Sequence, residues 1–100
     1  MNRDDALVII KRHELELRRL GIASLSLFGS LARGEAQTHS DVDVAVQLEN
    51  PPQGFAYFGR LGEIERRLAA LLESPVDVID EPAARPQLRQ AIERDRCLAF

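Results

Sequence analysis

The chain has a single cysteine, no apolar run long enough to span a membrane and no surplus of basic residues, and each shortage removes a class of protein. Cys97 has no second thiol to pair with, so an internal disulfide and a cysteine-rich zinc site are excluded, and packing alone must hold the fold. A reducing compartment fits. The longest early apolar run, Ala6 to Ile10, is flanked by Asp4, Asp5 and Lys11, Arg12, which describes neither a signal peptide nor a membrane span. A cytoplasmic protein without a membrane partner is expected. Thirteen Lys plus Arg against sixteen Asp plus Glu leave a net charge of -3 and a pI near 5.3, so general binding to a phosphate backbone is not expected either. Repeats, low-complexity tracts and linkers are absent as well. The 100 residues, 45% of them apolar, suit one domain, 1–100, around one two-layer core.

Periodicity then places the elements. Ala6, Ile10, His13, Leu17 and Leu20 share the 3.6-residue face of an amphipathic helix over Asp4 to Leu20, which Gly21 stops. Residues 22–28 suit a buried strand ending at Gly29-Ser30, and Leu31 to Ser40 has room for one helical turn and a loop. From Asp41 to Leu48 the alternation is regular, with Val42, Val44, Val46 and Leu48 on one face and Asp41, Asp43, Ala45 and Gln47 on the other. After Asn50-Pro51-Pro52 a long helix through Glu73 is expected to bury Tyr57, Leu61, Ile64, Leu68 and Leu71. Val76 to Asp80 reads as a third strand, Pro82 to Arg94 as a helix burying Leu88, Ala91 and Ile92, and Arg96 to Phe100 as an edge strand. This order implies an α/β (α+β) domain, a small mixed sheet of three to four strands covered by helices.

Asp41 and Asp43 stand two apart on a strand, so their side chains leave the same face with Cα atoms about 7 Å apart. Two such carboxylates suit Mg²⁺, which fills its remaining octahedral positions with water and phosphate oxygens. Gly29 at a strand end permits close approach of a ligand to the backbone, and Ser30 adds a hydroxyl donor. A helical turn over residues 31–34 would add free N–H groups, and Arg33 a cation, to an anion site there. Other residues take ordinary roles: His13 as a partly buried packing residue, His39 as a solvated loop residue, Cys97 as a small core residue, and Phe55, Tyr57 and Phe58 as core packing at the start of a helix.

Taken together, Gly29-Ser30-Leu31-Ala32-Arg33-Gly34, six intervening residues and Asp41-Val42-Asp43-Val44 resemble the signature of the nucleotidyltransferase superfamily that includes kanamycin nucleotidyltransferase and the DNA polymerase beta catalytic core. Leu27-Phe28 before the motif, Ser40 just ahead of Asp41 and the short chain look most like the minimal nucleotidyltransferase (MNT) branch. The resemblance implies that Gly29 and Ser30 hold the phosphates of ATP as donor, and that Asp41 and Asp43 bind two Mg²⁺ ions, with Mn²⁺ as a substitute. It also implies a third carboxylate, a metal ligand that helps deprotonate the acceptor hydroxyl. Asp77 and Asp80 are both available and face opposite sides of a strand; Asp77 is favoured, with Asp80 left to cap the following helix. Antibiotic-modifying relatives carry an additional helical domain for the acceptor, for which 100 residues leave no room. Similar short chains are the antitoxins of HEPN/MNT toxin-antitoxin pairs, which implies transfer of AMP to a tyrosine of a HEPN ribonuclease toxin. A non-catalytic antitoxin and a stand-alone dimeric enzyme acting on a small molecule are the alternatives.

Overall fold

A computed structural model describes residues 1–35 and 41–100. His39, expected as a solvated loop residue, and Ser40, part of the motif resemblance, lie outside the described residues. Four strands form one sheet: β1 (Ile22–Phe28), β2 (Val42–Leu48), β3 (Val76–Asp80) and β4 (Cys97–Leu98), in the order β3-β2-β1-β4. β1 runs antiparallel to β2 and β4, while β2 and β3 are parallel, so the sheet is mixed, as the element order implied.

Helices α1 (Arg3–Arg12), α2 (Glu14–Arg19) and α4 (Phe55–Leu72) cover one face of the sheet. There Ala6, Ile10, Leu17, Ile64, Leu68 and Leu72 bury against Leu25, Leu27, Val44 and Val46. Each large aliphatic side chain so buried contributes about 1.5–3 kcal/mol before entropy is charged against it. The first helix was expected in one piece and is divided at His13. The carbonyl of Ile9, which should accept the backbone N–H of residue 13, instead accepts from the His13 ring Nδ1 at 2.9 Å, and the backbone N–H turns to Ile10 O at 3.0 Å. His13 is half-buried, as expected.

The opposite face is covered too, giving three layers instead of the expected two. Ala45, Phe28 and Ile79 pack there against Ala83, Leu88 and Ile92. Each strand lends that face only one or two apolar residues among polar ones, so no single strand displayed it. Ile92 and Leu88 lie on α5 (Pro86–Asp95), which starts four residues later than expected. The cause is Pro86, whose ring disfavours helical backbone in the residue before it; Arg85 is accordingly extended, at φ -88° and ψ 128°. The buried Ser26 hydroxyl accepts from Arg96 at 3.0 Å, and the same guanidinium grips Glu81 at 2.7 and 2.9 Å, tying β4 to the segment that follows β3. Cys97 is half-buried against the main core. Among the described residues no helix is long and apolar enough to cross a membrane.

Candidate active site

β1 ends at Phe28, and the chain turns at once into the single helical turn α3 (Gly29–Ala32). Gly29 makes that turn with φ +77°, a left-handed conformation that a side chain disfavours. It also abuts Asp43: a Cβ added at Gly29 would overlap Asp43 Oδ2 and lie 3.2 Å from its Cγ. The two residues meet because Phe28 is the register partner of Asp43. Ser30 follows, half-buried, in the same turn.

Asp77 is the parallel register partner of Asp43, so the two side chains stand side by side on one face of the sheet. Asp41 sits one residue ahead of β2 and is exposed. Both neighbours act on Asp43, whose pKa is raised first by burial and then by repulsion from Asp77 and Asp41, with Arg33 pulling it down. The three carboxylates thus form one electrostatic group. Among the described residues no group of three acidic, histidine or cysteine side chains stands close enough together to hold a metal ion, so the trio is not a formed metal site. Its donors are all hard oxygens carrying mutual repulsion, which fits Mg²⁺ sharing its shell with water and phosphate, and does not fit zinc.

Asp43 and Asp77, but not Asp41, line a cleft of about 770 Å³ that also takes in Gly29, Arg33, Tyr57, Phe58 and Leu88. Tyr57 donates its hydroxyl to the Asp80 carboxylate, a bond that raises the pKa of the phenol. Asp80 was expected to cap the next helix, but the cap position of α5 is Arg85, five residues on, and it makes no side-chain capping bond. The aromatic cluster also departs from its expected place: Phe55 and Phe58 are 96% and 68% exposed, because the start of α4 projects past the core and only its later turns pack.

The family model for the nucleotidyltransferase domain matches residues 10–98. The chain belongs to that family. Protein adenylyltransferase MntA of Thermococcus cleftensis is 34% identical to this nucleotidyltransferase over 88 residues, covering 87% of the chain and 85% of the relative. A solved structure described as a candidate minimal nucleotidyltransferase superposes with a TM-score of 0.75 at 30% identity, covering 97% of this chain and 95% of that one. A toxin-antitoxin crystal structure containing AMP-PNP superposes with a TM-score of 0.68 at 26% identity, covering 90% and 72%.

In this nucleotidyltransferase Arg33, expected to add a cation to a phosphate site, lines the cleft and is held by two carboxylates. Its Nη1 donates to Asp95 at 2.7 Å and its Nε to Glu35 at 3.0 Å. Asp95 also accepts from Arg94 at 2.9 Å, and these two guanidinium groups, Arg94 foremost, lower its pKa to about 2. Sequence reasoning passed over Asp95, although an acid in the last turn of a helix opposes the helix dipole and therefore signals a cation held against it. The ion cluster ties α5 to the Gly29 turn. Asp95 is ionised more readily folded than unfolded, so its contribution to stability is present above the ordinary aspartate value of about 3.9 and lost as pH falls toward 2. Asp95→Asn should therefore lower the Tm at pH 7 and flatten its decline between pH 4 and 2. Equal acid sensitivity of variant and wild type in thermal melts would refute this.

Proposed function

We propose that this nucleotidyltransferase transfers AMP from ATP to a tyrosine hydroxyl of a partner toxin of the HEPN family, and acts as its antitoxin. The observation that carries the proposal is the register that sets Asp77 beside Asp43, with Gly29 closed against the same carboxylate at the mouth of an open cleft. A carboxylate trio next to a glycine turn suits a triphosphate and its cation, and the likeness to an MntA adenylyltransferase supports AMP as the group moved. The AMP-PNP present in the related toxin-antitoxin structure supports ATP as the donor.

Gly29 and Ser30 receive the β- and γ-phosphates along the free N–H groups of the α3 turn. Arg33, steadied by Asp95, lends positive charge to the same end of the cleft. Asp41, Asp43 and Asp77 would hold Mg²⁺, which when bound neutralises charge on the phosphates and on the departing pyrophosphate. The tyrosine oxygen forms its bond to the α-phosphorus as the bond from that phosphorus to the bridging oxygen breaks. Pyrophosphate leaves with the electron pair, and Asp77 takes or relays the phenolic proton. The protein's contribution is chiefly placement and fixed charge.

Incubation of both proteins with ATP and Mg²⁺ should add about 329 Da per AMP to the partner's tyrosine, a mass set by the chemistry of the modification. Asp41→Ala should abolish the increment. A wild-type chain that silences the toxin in a tight complex while leaving its mass unchanged would overturn the enzymatic reading.

A further inference from the structure

Helix α1 turns a symmetric pattern of charge outward. Ala6 and Ile10 are buried, so the face directly opposite them, centred on Val8, looks away from the sheet. Asp4, Asp5, Val8, Lys11 and Arg12 all lie on that face and all are exposed, Val8 at 49%. At 3.6 residues per turn, Asp4 and Lys11 stand about 40° and 60° to one side of Val8, and Asp5 and Arg12 about 60° and 40° to the other. At a rise of about 1.5 Å per residue, the two acids lie roughly 6 and 4.5 Å from Val8 toward the helix start, and the two bases roughly 4.5 and 6 Å toward its end. The helix dipole favours acids in the first turn and bases in the last, but it requires neither this shared face nor equal spacing about one apolar residue. Beside the face, an apolar groove of about 510 Å³ runs between α1 and β4, lined by Leu7, Val8, Leu98 and Ala99 with Lys11 and Arg12, and by no acid among the described residues.

We propose that this face pairs with a second copy of itself about a two-fold axis through Val8. The rotation reverses both the direction along the helix and the side of Val8. It therefore sets Asp4 of each copy opposite Arg12 of the other, and Asp5 opposite Lys11, on the same side and at the same height. Val8 meets Val8 on the axis. Four ion pairs thus surround an apolar contact, the self-complementary arrangement that a two-fold interface requires. Asp5 and Arg12 form no side-chain ion pair among the described residues, while Asp4 meets Arg3 at 3.6 Å and Lys11 meets Glu14 at 2.9 Å, exposed pairs that lose little when shared. The groove lies at β4 and the catalytic cleft at β3, opposite edges of the sheet, so pairing and nucleotide binding are separate. A contact of two helical turns belongs to the small, weak class of interface.

Sedimentation equilibrium of the intact chain from about 1 µM to about 1 mM should show the mass rising from 11.2 kDa toward twice that value. Lys11→Glu with Arg12→Glu, and Asp4→Lys with Asp5→Lys, should each leave a monomer throughout, because like charges then meet across the axis. An equimolar mixture of these two double variants should regain the paired mass, since an all-acidic face then meets an all-basic one. Val8→Asp, a change at an exposed position that sets two carboxylates together on the axis, should also be monomeric with the circular dichroism of the wild type, and it decides the matter if a charge reversal unfolds α1. A wild type still monomeric at about 1 mM overturns the proposal and leaves the face to another protein. A dimer that the reversals and Val8→Asp leave intact overturns it as well, and so does a pair of folded double variants that stays monomeric when mixed.

Discussion

Asp43→Asn should yield a protein that is more heat-stable than the wild type at pH 7 without divalent ions, and that transfers AMP at least about 10²-fold more slowly, the scale of loss when one preorganised charge-handling group is removed. Asp43 is half-buried beside two other carboxylates, and all three influences raise its pKa. The folded state therefore holds the proton more tightly than the unfolded chain does. Stability is lost as pH rises from the ordinary aspartate value of about 3.9 through the raised folded value, and the penalty is complete above it. Asparagine keeps the shape and removes the charge, so the gain in Tm should be larger at pH 7 than at pH 4. Differential melts at the two pH values, paired with the mass-shift assay, test both halves. A variant no more stable than the wild type at pH 7 would mean that the repulsion around Asp43 is relieved some other way. The expected trade of stability against activity is the signature of a site whose charges are gathered for a ligand.

Gly29→Ala should lose both stability and nucleotide binding. The left-handed φ of +77° costs an alanine about 1–2 kcal/mol. The new Cβ would in addition overlap the Asp43 carboxylate, which must swing away and abandon its place beside Asp77. Urea denaturation and calorimetry with ATP and Mg²⁺ measure the two losses. A double-mutant cycle separates them: Asp43→Ala in the Gly29→Ala background should restore the part due to collision and leave the backbone strain, so the two changes will not add. Strict additivity would show that Gly29 is needed for its φ alone.

Much of the site was legible because its parts are local in sequence. Asp41 and Asp43 share a face through strand alternation, and Gly29-Ser30 marks the end of a strand with a residue that tolerates positive φ. The second face of the sheet was not legible, since Phe28, Ala45 and Ile79 come from three strands and form an apolar patch only when those strands are side by side. The displaced start of α5 was readable in principle from Pro86, yet Pro82 offered an equally good start signal and the chain contains both. Phe55 and Phe58 were misplaced for a related reason: an aromatic cluster at a helix start has the composition of a core, and only the length by which α4 overshoots the sheet leaves it in solvent.

The amino-acid sequence alone determined which residue types could do chemistry and which strand faces they occupy, because side-chain direction along a strand follows from backbone geometry with a period of two. The tertiary structure gave Asp77 and Asp80 different neighbours. Both were open in the sequence; a parallel register pairs Asp77 with Asp43, and a tyrosine twenty-three residues away takes Asp80. It likewise gave Arg33 its partner, sixty-two residues distant at the end of α5. Register and long-range ion pairing depend on how the strands and helices stack to bury their shared surfaces, a condition that no short window of sequence contains.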